Sequence, residues 1–121
     1  MSETITVGGL DIRIENRRVG EDGGLSMRVT GEVEGADVQL LRFDMFDKRP
    51  HYHYAPDGLN IEYDLDPLTC EDSVAWVMTQ LHGKLPAMIS KAGYDSLAGK
   101  VDHQAVVAAL PNIEKQWRAL G

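Results

Sequence analysis

A chain of 121 residues with 43% hydrophobic and 26% charged residues has the composition of one globular domain, and folding at this size removes roughly two-thirds of the unfolded chain's surface from water. No apolar run approaches the roughly 20 residues of a membrane span, the opening Met1-Ser2-Glu3-Thr4-Ile5 lacks the segments of a signal peptide, and a single cysteine rules out an internal disulfide or a multi-cysteine metal site. A soluble, cytoplasmic protein with no membrane partner is expected, and its net charge of −7 opposes the basic footprint that nucleic-acid binding needs.

Short apolar alternations between glycine-rich turns predict strands in the first half. Thr4-Ile5-Thr6-Val7, the turn Gly8-Gly9 and Leu10-Asp11-Ile12-Arg13-Ile14 form a hairpin pattern. Residues 17–24, with three glycines, predict a polar loop. Alternation resumes over residues 25–33 and 38–46, with Glu34-Gly35-Ala36-Asp37 as the turn between them. Asp47-Lys48-Arg49-Pro50 then returns His51-Tyr52-His53-Tyr54 antiparallel beside residues 38–46. Phe46 opposite His51 and Asp44 opposite His53 is the expected register. A last strand follows the Asp57-Gly58 turn, over residues 59–65.

At Asp66-Pro67 the period changes from two to about 3.6. Thr69-Cys70-Glu71-Asp72 resembles a capping box ahead of the stripe Val74, Val77, Met78, Leu81. Pro86 opens a second helix with Gly93 as its stop. Asp102 caps a third, which Pro111 either kinks or divides from a fourth carrying Ile113, Trp117 and Leu120. The expectation is one α+β domain over residues 1–121. Residues 1–66 form an antiparallel meander of about six strands, and three or four helices in residues 67–121 pack on one face of the sheet.

The acidity belongs to the strand half, where residues 1–66 carry fourteen acidic against seven basic side chains, while residues 67–121 carry five of each. Such a surface accommodates a basic or metal-cation partner, and equally serves to keep the domain dissolved.

The His-Tyr tetrapeptide concentrates half the histidines and half the tyrosines in four residues. In a strand, both imidazoles share one face and both phenols the other. Two imidazoles at i, i+2 can aim at one ion, with Asp44 as third ligand, and two histidines with one carboxylate suit zinc or non-heme iron with positions left for water or substrate. The packing alternative stacks Tyr52, Tyr54 and Tyr63 with Trp76 under the helices and leaves His51 and His53 facing solvent with Arg42 and Asp44.

Two functions follow, the first as the leading reading and the second as its alternative. One is a binding domain whose His/Tyr strand (Arg42, Asp44, His51, His53, Tyr52, Tyr54) meets a protein or small-molecule partner, with homodimerisation through a sheet edge or the C-terminal helices. The other is a metal-dependent enzyme with His51, His53 and Asp44 as ligands. An elbow-type serine nucleophile and a phosphate-binding glycine loop are both absent from the sequence. His82 and His103 are expected to serve helix ends, Cys70 to be a structural thiol raised by its acidic neighbours, and Glu62, Asp64 and Asp66 to form a solvated face.

The run Leu41-Arg42-Phe43-Asp44-Met45-Phe46-Asp47, then Pro50-His51-Tyr52-His53-Tyr54, Trp76 and Ala92-Gly93-Tyr94, resembles a small prokaryotic domain family of unknown function over about residues 37–115. The resemblance implies that the His-Tyr strand and the helices form one unit, and it implies no activity, cofactor or catalytic residue.

Overall fold

The computed structural model describes residues 2–121. Six antiparallel strands lie in chain order across one sheet: β1 (Ser2–Val7), β2 (Leu10–Val19), β3 (Asp22–Val33), β4 (Ala36–Phe46), β5 (Pro50–Tyr54) and β6 (Ile61–Asp64). Four helices follow: α1 (Ser73–Gly83), α2 (Leu85–Lys91), α3 (Asp95–Ala98) and α4 (His103–Ala119). This is the expected α+β meander with its helices after it.

Alternation in the strands decides the layering. Ile12, Ile14, Met27, Val29, Leu41, Phe43 and Met45 turn one way and are buried with Val77, Leu81, Leu85, Ile89, Val106, Leu110, Ile113 and Trp117 from the helices. Each such side chain contributes roughly 1.5–3 kcal/mol when taken out of water. Their strand neighbours Arg13, Glu15, Arg28, Arg42, Asp44, His51 and His53 turn the other way. A register irregularity between Val29 and Thr30 places one extra β4 residue there, and both Leu40 and Leu41 are buried.

Three local expectations are corrected. Residues 17–24 are mostly strand, paired from Arg17↔Gly24 to Val19↔Asp22. A Cβ on Gly23 would stand 2.8 Å from the Arg17 carbonyl oxygen, and one on Gly24 2.9 Å from that of Met45. These glycines permit close approach of neighbouring strands instead of forming a loop.

The N-cap of α1 is Asp72, whose carboxylate accepts the Ala75 N–H at 3.0 Å, not Thr69. The preceding residues form a turn on Asp66, which accepts from the Leu68 and Cys70 amides.

The third correction is the β4–β5 register, which pairs Asp44 with His51 and Arg42 with His53. The slip is two residues, so the side chains keep their faces. Its cause is Asp22 on the neighbouring turn: its carboxylate accepts from the Lys48 and Arg49 amides at 2.9 and 3.0 Å, while Phe46 pairs with Gly24.

Pro111 lies inside one continuous α4, capped by Asp102 on the Ala105 amide. His103 donates from Nε2 to the Leu81 carbonyl at 2.9 Å, joining the start of α4 to the end of α1.

Candidate metal centre

β4 and β5 place Asp44, His51 and His53 on the sheet face opposite the helices. All three are nonetheless nearly closed to water, at 2%, 8% and 6% exposure. The expectation of solvent-facing imidazoles is corrected here. The Phe46 ring stands edge-on to His51 at 5.7 Å, the two imidazoles lie 5.1 Å apart, and Arg42 and Asn60 close over His53.

Both imidazoles are held from behind. His51 donates from Nδ1 to the Arg49 carbonyl at 2.8 Å, and His53 from Nδ1 to Oδ1 of Asn60 at 2.9 Å. A guanidinium can only donate, so Nε2 of His53, 3.2 Å from Arg42 Nη2, is an acceptor and the ring is the neutral Nδ1–H tautomer. Each ring then turns Nε2 toward one atom, Asp44 Oδ2, at 3.3 Å from His51 and 3.7 Å from His53.

One ligand atom from each of the three residues lies within 4.8 Å of the other two. Bonds of about 2.05 Å in a tetrahedron put ligand atoms about 3.3 Å apart; the His51–Asp44 side is already at that spacing, and the rest of the triangle has to contract to become a coordination face.

The other oxygen, Oδ1, accepts from the Ser26 hydroxyl at 2.7 Å. Burial alone would raise the Asp44 carboxyl, but the hydrogen bonds from His51 and Ser26 and the charge of Arg42 outweigh it and hold the group well below the usual carboxylate range. The hydrogen bond to Asp44 raises His51, burial opposes it, and the Arg49 carbonyl reinforces the rise. Arg42 completes the set, with Nε 3.0 Å from Asp44 Oδ2.

The remaining predicted residues divide by face. Tyr52 and Tyr54 lie on the helix side, where Tyr52 contacts Tyr54, Tyr63 and Trp76 at 5.7, 5.6 and 5.0 Å. Lys91 Nζ sits 4.9 Å from the Tyr54 ring and 4.8 Å from that of Tyr63. This is the expected aromatic cluster, and it is separated from the imidazoles by the sheet itself. Glu62 and Asp64 are both bonded by Arg49. The Cys70 thiol is pushed up by burial and by the Asp72 charge.

Sequence reasoning missed Ser26, Asn60 and Arg17. Ser26 lies on a strand eighteen residues from Asp44, with no local sign of contact. Asn60 has φ of 48° just before β6, and asparagine after a turn dipeptide is its only signal. Arg17, whose Nη1 lies 3.7 Å from Asp44 Oδ1, fell in the segment read as loop.

The family model of a domain of unknown function (DUF7700) matches residues 4–117, and the chain belongs to that family. No curated protein and no solved structure matches it.

Proposed function

We propose that this domain binds a divalent transition metal, zinc or ferrous iron, through Asp44 Oδ2 and the Nε2 atoms of His51 and His53. One observation carries the reading: both imidazoles are anchored through Nδ1 and present Nε2 to the same carboxylate oxygen. Hydrogen bonds from the far ring nitrogen fix the tautomer and orientation a metal ligand needs.

Two histidines and one carboxylate from the protein leave further coordination positions for water or a small ligand, the condition for metal-assisted chemistry rather than a closed structural site. The shared acceptor oxygen supports the reading electrostatically. Nε2 of a neutral His51 would set a lone pair against the Asp44 carboxylate at 3.3 Å, an arrangement that needs a proton or a cation between the two atoms.

The test is metal content of untagged protein, purified without chelator and reloaded with Zn²⁺ or anaerobic Fe²⁺, beside Asp44→Asn and His51→Ala/His53→Ala. Near-stoichiometric metal in the wild type, lost in both folded variants, is the expected result. Absence of metal from the reloaded wild type would sink the reading and return the face to protein or small-molecule binding without a metal.

A further inference from the structure

We propose that Arg42 is an internal competitor for the metal, and that it leaves the site to bind an anionic ligand, so metal and oxyanion bind cooperatively. The inference rests on the metal-binding reading above. Arg42 contacts two of the three ligand atoms, Asp44 Oδ2 from Nε at 3.0 Å and His53 Nε2 from Nη2 at 3.2 Å. An imidazole nitrogen has one lone pair in the ring plane. Nε2 of His53 cannot accept from Arg42 and bind a metal at once, so the guanidinium and the metal exclude each other.

The surroundings determine what a released Arg42 meets. The strand register sets Arg13 opposite Arg28 and Arg28 opposite Arg42, a row of three arginines across β2, β3 and β4. Like charges directly opposed across a sheet are unfavourable. Their compensation is incomplete: Glu15 is shared between Arg28 at 3.5 Å and Arg13 at 3.8 Å, both beyond good hydrogen-bond length.

Arg28 Nε and Arg17 Nη1 are buried with no hydrogen-bond partner among the described residues. Arg17 Nη1 has only the long ion pair to Asp44 Oδ1 at 3.7 Å, so two buried guanidinium nitrogens on this face still have donors to give. Turning Arg42 away from Asp44 adds further free donors beside a dication.

The chemistry that satisfies all of these groups is a small molecule carrying an oxyanion, phosphate-like or carboxylate. One oxygen would reach the metal while others take the planar donor forks of Arg42 and Arg28, geometry in which guanidinium is stronger than ammonium. The bound anion keeps Arg42 from returning to Asp44 and His53. The metal in turn holds Arg42 where the anion needs it, and the coupling is reciprocal.

Cobalt(II) titration of metal-stripped protein, followed by its visible absorption at constant ionic strength with and without sulfate as the oxyanion probe, tests this. In the wild type, sulfate tightens cobalt binding by about fivefold or more. Arg42→Ala binds cobalt more tightly than wild type without sulfate and gains nothing from sulfate. Arg28→Gln binds cobalt alone at least as tightly as the wild type but loses most of the sulfate gain. Circular dichroism confirms folding, and Arg42→Gln replaces Arg42→Ala if the latter unfolds.

Equal cobalt affinity in wild type and the Arg42 variant overturns the competition and leaves the metal site standing. A wild type indifferent to sulfate overturns the anion. Cobalt bound by none of the proteins removes the metal reading, and this inference with it.

Discussion

Trp117, in the last helix, donates its indole N–H to the Ser26 carbonyl at 3.1 Å, across 91 residues of sequence. The Ser26 hydroxyl then donates through the sheet's other face to Asp44 at 2.7 Å. One strand residue thus serves both layers: its backbone anchors the helical cover and its side chain orients the candidate ligand. Trp117→Phe keeps most of the ring and removes this hydrogen bond, which should cost about 1 kcal/mol in urea unfolding. Trp117→Ala opens a cavity and should cost about 3–5 kcal/mol.

The His51–Asp44 pair gives the metal-free protein a pH signature. His51 is raised above its ordinary value near 6.5, so its contribution is complete below that value and is lost as pH rises through the folded pKa. Asp44 is lowered from 3.8, so its contribution is present above that value and is lost as pH falls through the folded pKa. With chelator present, the urea midpoint of the wild type should exceed that of His51→Asn by the most between about pH 4 and 6.5. The gap should narrow at higher pH. A gap that widens above pH 7 would contradict the assignment.

Gly8 and Gly9 separate backbone strain from collision. Both have positive φ, 63° and 86°, but a Cβ on Gly8 would stand 2.6 Å from the Asp102 carbonyl oxygen and 2.8 Å from Val106 Cγ2, while one on Gly9 meets nothing within 4 Å. Gly9→Ala should cost roughly 1 kcal/mol. Gly8→Ala should cost roughly 3 kcal/mol, because the start of α4 has to move away from the β1–β2 turn. Similar losses in thermal unfolding would show that the turn and helix yield freely.

Pro111 is exposed and interrupts the hydrogen-bond ladder of α4. Pro111→Ala restores an amide donor to the Val107 carbonyl and should raise stability by roughly 1–3 kcal/mol. No gain in unfolding free energy would show that α4 is already fitted to the proline.

Much of the fold was legible because strand and helix periods sort the same residues that the layers bury. Leu10 to Ile14 and Val74 to Leu81 show this directly. The common face of His51 and His53 follows from the same alternation, and Asp44 from the adjoining hairpin. What escaped depended on chain-distant contacts. Asp22 reset the β4–β5 register, close strand approach at Gly23 and Gly24 turned a loop-like composition into strand, and the four-residue α3 was too short to show a period. Burial of the histidines was missed for a related reason: Arg42, Phe46 and Asn60 close over them through contacts that alternation does not encode.

The strictly sequential strand order also has a kinetic consequence. Each strand pairs only with its chain neighbours, and Asp44 to Asn60 bring the candidate ligands and their anchors together through adjacent hairpins. Loop closure for this part is short and entropically cheap. The contacts from Asp102 to Gly8 and from Trp117 to Ser26 instead close most of the chain. Assembly of the ligand triangle therefore need not await the helical cover, and Trp117 should have a φ-value near zero, its truncation speeding unfolding while leaving the folding rate almost unchanged.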